Sequence, residues 1–273
     1  MNVHVIDCRV QYDISSVEIP INVPTRIDCV LEQCTIPMLV VKRPRSKRAV
    51  VLSNGAVDIE RSNALPVFQR STLWNKIDHN QIFICDPGTV GPNALSLSWG
   101  QLSRSYWFVP DAALIINEVC RHLGVTESKN RLFYGSSAGG FLSLALMAHG
   151  DTSNAVINNA QFDWTRWMAP AVNLLRNSRF DNMLPTDLRD KYPLRTSALR
   201  LLQATDQEHH VNYWVNMASK HDTQVDLPQM ETFKASDSNC NINIYRYYDK
   251  DLGHNPLPHE KTLSIINESF TNQ

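Results

Sequence analysis

Three of the chain's ten glycines fall within six residues, in Gly135-Ser136-Ser137-Ala138-Gly139-Gly140. Before them Arg131-Leu132-Phe133-Tyr134 reads as a short buried strand, and after them Phe141 to His149 reads as an apolar helix. A strand that becomes a helix within two or three residues holds its central residue in a sparsely populated backbone conformation. Side chains at the flanking positions would collide there, and Gly135 and Gly139 remove them. Ser137 is expected at the tip of the turn, its Oγ exposed and a helix N-terminus behind it. Free N–H groups and the positive end of the helix dipole would meet a developing negative charge at that point. The segment is a G-x-S-x-G pattern between the strand and helix it requires.

A serine nucleophile needs a base and a carboxylate. Leu199-Arg200-Leu201-Leu202-Gln203-Ala204-Thr205-Asp206 reads as a strand ending in an aspartate at its carboxyl end, where open α/β sheets place site residues. Asn241 to Tyr248 begins with strand-like alternation and leads through Asp249, Lys250, Asp251 and Leu252 to Gly253-His254, a late loop histidine. A final helix is expected over roughly Glu260 to Phe270. On these residues, in the order serine, acid, histidine, the chain resembles an α/β-hydrolase.

That resemblance implies an α/β fold with a mostly parallel central sheet flanked by helices, and definite roles. Ser137 would be the nucleophile, His254 the base, and Asp206 the carboxylate that fixes the imidazole tautomer. The oxyanion hole would use the backbone N–H of Ala138 and one from the loop Asn54-Gly55-Ala56, after a strand Arg48 to Ser53. The superfamily often has a His-Gly pair in that loop. Here Asn54-Gly55 stands instead, so whether Gly55 or Ala56 donates is open, and Asn54 is a candidate substrate contact.

Competitors exist for each position. Ser136 adjoins Ser137, but the pattern centres on Ser137. Asp163, at the end of an apolar strand Asn154 to Phe162, rivals Asp206 for the carboxylate. Asp249 and Asp251 are too near His254 in sequence to orient it. His149, His122 and His221 read as helix-end or surface residues. The pair His209-His210 lacks the Cys or carboxylate spacing of a zinc site, so no metal is expected.

The length suits one domain, residues 1–273, and 43% hydrophobic content supports a sizeable core. A formal net charge of −1 gives no reason to expect a nucleic-acid partner. The basic run Lys42 to Arg48, broken by Pro44 and Ser46, reads as a solvated turn between strands. The start of the sequence has no basic region followed by an apolar stretch of signal-peptide length, and no apolar run is long enough to span a membrane. A cytoplasmic protein is therefore expected. Six scattered cysteines, Cys8, Cys29, Cys34, Cys85, Cys120 and Cys240, read as reduced thiols.

The first fifty or so residues have β character, after which strands alternate with helices: Gln81 to Cys85 as a strand, Val109 to Leu123 as a helix. Asp163 to Ala198, between the sixth and seventh strands of the expected fold, falls where α/β-hydrolases commonly insert a lid. Its Trp164 and Trp167 are either an acyl-binding wall or ordinary packing at helical spacing. Trp99 to Phe108 is a second aromatic cluster, able to stack on a sugar or serve the core.

The expected activity is hydrolysis of a small-molecule or glycan carboxylic ester through an acyl-Ser137 intermediate, with no cofactor. The alternative is an acyltransferase that takes acetyl-CoA or another acyl-CoA as co-substrate and acylates a glycan or other alcohol, since some capsule O-acetyltransferases are α/β-hydrolases of this size. A silent scaffold is a third reading, opposed by the intact set of Ser137, Asp206 and His254.

Overall fold

Runs of β-branched and aromatic residues, each bounded by turn formers, build a nine-stranded sheet in the computed structural model, which describes residues 3–151, 154–236 and 238–271. The strands are β1 (Val3–Asp7), β2 (Thr25–Val30), β3 (Thr35–Val41), β4 (Ala49–Ser53), β5 (Asn80–Ile84), β6 (Arg131–Ser136), β7 (Asn154–Asn158), β8 (His209–Asn216) and β9 (Cys240–Tyr247). Their spatial order is β1-β2-β3-β5-β4-β6-β7-β8-β9, antiparallel only where β3 meets β2 and β5.

The helices are α1 (Ile59–Ser62), α2 (Val109–His122), α3 (Ala138–His149), α4 (Ala169–Arg179), α5 (Pro185–Lys191), α6 (Pro193–Thr196), α7 (Ala198–Gln203), α8 (Leu227–Ala235) and α9 (His259–Thr271). Period-2 alternation sorts each central strand onto two apolar layers. Val51 and Phe133 face the layer holding Ile116 of α2 and Leu144 of α3. Their neighbours Val50, Leu52, Leu132 and Tyr134 face the layer holding Ile266 and Phe270 of α9. Helix α3 is buried at eleven of its twelve positions, so the element that carries the turn at Ser137 is locked inside the core.

Two expectations need correction. Leu199 to Asp206 is not a strand: Ala198–Gln203 is α7, started by Ser197, whose side chain accepts from the Arg200 N–H. A short apolar run cannot be assigned by periodicity alone, and the capping serine decides for helix. The strand is β8, which opens with the buried His209 of the His209-His210 pair. The strand expected over Asn154 to Phe162 ends at Asn158, because Asn159 takes a left-handed φ of 42° and leaves the ladder. The segment 163–198 therefore lies between β7 and β8. Among the described residues no helix is long and apolar enough to cross a membrane.

Candidate active site

The chain leaves β4, adds β5 on one side of it, and returns to lay β6 on the other. Such a reversal opens a crevice at the carboxyl ends of the two strands, where open α/β sheets bind their ligands. The loop Asn54-Gly55-Ala56 leaves β4 there, and Ser137 follows β6.

Ser137 has φ 55° and ψ −128°, a conformation L-residues rarely adopt. The glycines around it are required by space. A Cβ on Gly135 would lie 2.0 Å from the Gly139 carbonyl oxygen, and one on Gly139 would lie 2.7 Å from the Ser53 oxygen. With both absent, α3 starts directly behind Ser137. Ala138 is its first residue, and the first N–H groups of a helix have no intrahelical acceptor.

Ser137 Oγ is 2.8 Å from His254 Nε2, and His254 Nδ1 lies 2.8 and 3.0 Å from the two carboxylate oxygens of Asp222. The Ser137 hydroxyl thus donates to the imidazole, whose Nδ1–H donates to the carboxylate. The Asp222 side chain is fully buried and that of His254 is 25% exposed, so one end of the relay is dry and the other reaches the cavity. Asp222 opens a π-helical turn, Asp222–Asp226, after β8, a distortion frequent at functional sites. The His254 loop is pinned from beneath: the Asn216 amide donates to the carbonyls of Asp249 and Gly253, and Asn159 Nδ2 to those of His254 and Asn255.

Asp206 does not reach His254. It is exposed, precedes β8, and lines a surface depression with Glu208 and Asn239 at the amino end of the sheet, opposite the crevice. Asp163 does not reach it either: its carboxylate caps the following turn, accepting from Thr165 N–H and hydroxyl at 3.0 and 2.6 Å and pairing with Arg166. The sequence does not mark Asp222, because the Leu199 run reads as the strand that β8 supplies in the structure. With β8 at His209–Asn216, Asp222 is the first aspartate beyond its carboxyl end.

In the loop after β4 the Gly55 N–H donates to Gln69 Oε1 at 2.8 Å, while Gln69 Nε2 donates to the Ala56 carbonyl. Ala56 N–H has no acceptor among the described residues. Asn54 is 1% exposed, and its side chain bonds Val67 O and Gln69 N, so it holds the loop and does not face a substrate.

The two tryptophans of the 163–198 segment divide. Trp164 is fully buried, stacks on Trp99 and Phe180, and donates to the Arg195 carbonyl. Trp167 is half-buried with its ring 4.6 Å from that of His254 and 4.5 Å from that of His221, so it packs beside the imidazole. In the other aromatic cluster Trp99 and Phe108 are fully buried and Trp107 nearly so, which is core packing.

Trp99 has a further role. Its indole N–H can only donate, and it donates to Gln161 Oε1 at 2.5 Å. That fixes the amide so that Gln161 Nε2 faces Ser137 Oγ, to which it donates at 2.9 Å. Gln161 is 1% exposed, and its backbone N–H also bonds the Ser137 carbonyl. No sequence pattern marks Gln161, because its meaning depends on Trp99, 62 residues away.

Ser137 and His254 open onto a cavity of about 510 Å³, bounded also by Gly55, Ala56, Arg70 and His259. A larger cavity of about 580 Å³, bounded by Trp214 and Tyr245, holds none of the relay residues. Among the described residues no cluster of histidine, cysteine or carboxylate side chains could hold a metal ion.

No protein-family model and no curated protein matches the sequence. Solved structures do match it in three dimensions. The capsule O-acetyltransferase of Neisseria meningitidis serogroup A is 11% identical with a TM-score of 0.65, over 90% of this chain and 94% of that one. An acetyl xylan esterase from Paenibacillus sp. R4 is 16% identical with a TM-score of 0.58, over 86% and 80%. The chain has the α/β-hydrolase fold. The Francisella virulence factor BioJ shares this α/β-hydrolase fold at 14% identity and a TM-score of 0.58, over 93% and 87%. Likeness at such identities is one of architecture, and the chemistry has to be argued from the side chains.

Proposed function

We propose that this chain is a serine-dependent enzyme that cleaves carboxylic esters through an acyl-Ser137 intermediate. The observation that carries the reading is the hydrogen-bonded series Ser137, His254, Asp222 at the tip of a strained strand-to-helix turn. His254 Nε2 takes the hydroxyl proton as Oγ attacks the ester carbonyl, and Asp222 stabilises the imidazolium that forms. The oxyanion of the tetrahedral intermediate is met by Ala138 N–H and by Ala56 N–H, Gly55 N–H being engaged by Gln69. Collapse of the intermediate expels the alcohol, which takes its proton from His254. Water then repeats the sequence in reverse and frees the acid. Gln161 holds the Oγ rotamer between base and carbonyl.

A second reading has the acyl group pass to an alcohol, such as a glycan hydroxyl, from a thioester donor such as acetyl-CoA. The likeness to a capsule O-acetyltransferase across nine-tenths of both chains favours it. Trp167 packs against the His254 ring and shields that side of the base from water, and a drier base favours transfer over hydrolysis.

Stopped-flow release of p-nitrophenol from p-nitrophenyl acetate tests both. The expected result is a stoichiometric burst that is absent in Ser137→Ala. Faster turnover on adding a sugar alcohol assigns the transferase, and no change assigns the hydrolase. Steady release at equal rates in both proteins refutes the acyl-serine.

A further inference from the structure

Arg70 sits beside the nucleophile with no structural task that accounts for its charge. Its backbone takes a left-handed φ of 64°, strained for a residue with a side chain, and it is one of the residues that bound the cavity Ser137 and His254 share. There Nη2 donates to Ser136 Oγ at 2.5 Å, and the guanidinium carbon lies 5.1 Å over the Tyr134 ring. No carboxylate pairs with it among the described residues. Nη1 is buried with no acceptor. The residues around the cavity include His254 and His259 but no Asp or Glu, so the permanently charged side chain among them is that of Arg70.

Other arginines of the fold are used differently. Arg195 spends its nitrogens on Gln101 Oε1 and on the carbonyls of Ser103 and Arg104, and Arg131 bonds Asn117 Oδ1 and the Val125 carbonyl. Both are spent on holding loops. A guanidinium is a planar fork suited to carboxylate or phosphate, and buried polar groups in native structures are almost always satisfied by some partner.

We infer that the cavity receives an anionic ester or thioester: Arg70 pairs with a carboxylate or phosphate carried by the substrate, while the carbonyl of the same molecule lies at Ser137. The inference rests on the acyl-serine reading for its chemistry and adds the charge class of the substrate. Pairing changes no covalent bond. It orients the ligand, and it makes an anionic ester the better substrate than its neutral counterpart.

The test compares mono-p-nitrophenyl succinate with methyl p-nitrophenyl succinate, which differ by one charge at nearly equal size. The wild type is expected to prefer the anion at least tenfold in kcat/KM. Arg70→Met is expected to bring the ratio to about one, and Arg70→Lys, a point charge without the fork, to keep part of it. Thermal melts of each variant confirm folding. No preference in the wild type, or the same preference in Arg70→Met, overturns the assignment.

Binding separates this inference from the reading beneath it. NMR titrations on Ser137→Ala, with and without Arg70→Met, use monomethyl succinate and coenzyme A as probes and need no turnover. Arg70-dependent binding of monomethyl succinate assigns the anion to a carboxylate, and that of coenzyme A alone assigns it to a phosphate. Binding of neither overturns the proposal whatever the esterase assay gives. Arg70-dependent binding without ester turnover would uphold the anion site and refute the acyl-serine.

Discussion

If Ser137 is acylated as proposed, replacing Asp222 by Asn should cripple that reaction, while Asp206→Asn should leave it working. The Asp222 carboxylate is fully buried and bonds His254 Nδ1 through both oxygens. When His254 takes the Ser137 proton, a charge pair forms with centres about 4 Å apart, worth about 4 kcal/mol at an effective dielectric of about 20. At 1.36 kcal/mol per tenfold, losing it costs about 10³ in the acylation rate. An Asn amide turned with its NH2 towards Nδ1 would also force the proton onto Nε2, where it blocks the base, and such a tautomer error takes the loss to about 10⁴. Asp206 precedes β8, whose eight residues rise about 3.3 Å each, so it lies roughly 25 Å from the relay. Beyond a Debye length of about 8–10 Å an exposed charge is screened, and Asp206→Asn should change the rate less than twofold. Burst kinetics with p-nitrophenyl acetate read both variants directly. An Asp222→Asn protein within tenfold of wild type, or an Asp206→Asn protein that loses the burst, would refute the assignment of the acid.

Gln161→Leu removes one hydrogen bond to Oγ, worth about 1 kcal/mol, and should slow acylation about fivefold to tenfold. It also strands the buried Trp99 N–H, so a melt should show a loss of about 1–3 kcal/mol; unchanged kinetics would remove Gln161 from the mechanism. Gly135→Ala places a methyl 2.0 Å from the Gly139 carbonyl oxygen inside the core, and overpacking there should cost about 3 kcal/mol or prevent folding, read by chemical denaturation. Burial pushes Asp226 well above the usual carboxylate range, opposed by the Phe162 N–H and reinforced by Asp222. The folded carboxyl therefore stays protonated where the unfolded one ionises. Stability present below the unfolded pKa is lost as pH rises from the ordinary carboxylate range towards the raised folded value. Asp226→Asn cannot ionise, so its Tm should fall less than the wild type's between pH 4 and pH 7, and parallel curves would contradict this.

The elbow was legible because its cause is local. Gly135 and Gly139 are needed by contacts within a few residues of Ser137, and a strand run followed by an apolar helix run announces itself by composition. The same holds for His254, which follows a strand whose alternation is visible from Asn241 onward. The carboxylate that bonds His254 was not legible. Leu199-Arg200-Leu201-Leu202 suits a buried strand or a buried helix equally, and only Ser197 at its cap and the packing of α7 against α3 choose helix, moving β8 and its carboxyl end downstream.

The sequence by itself therefore determined the turn at Ser137, the alternation of strands and helices, and the loop histidine late in the chain, because hydrophobic period and glycine sterics act over a few residues. Only the tertiary structure decided the partners. Asp222 meets His254 across 32 positions, Gln161 is oriented by Trp99 across 62, and Arg70 reaches Ser136 across 66. A hydrogen bond needs about 3 Å between its heavy atoms, and in this chain the folding of β4, β6, β7, β8 and β9 into one sheet is what brings these side chains that close.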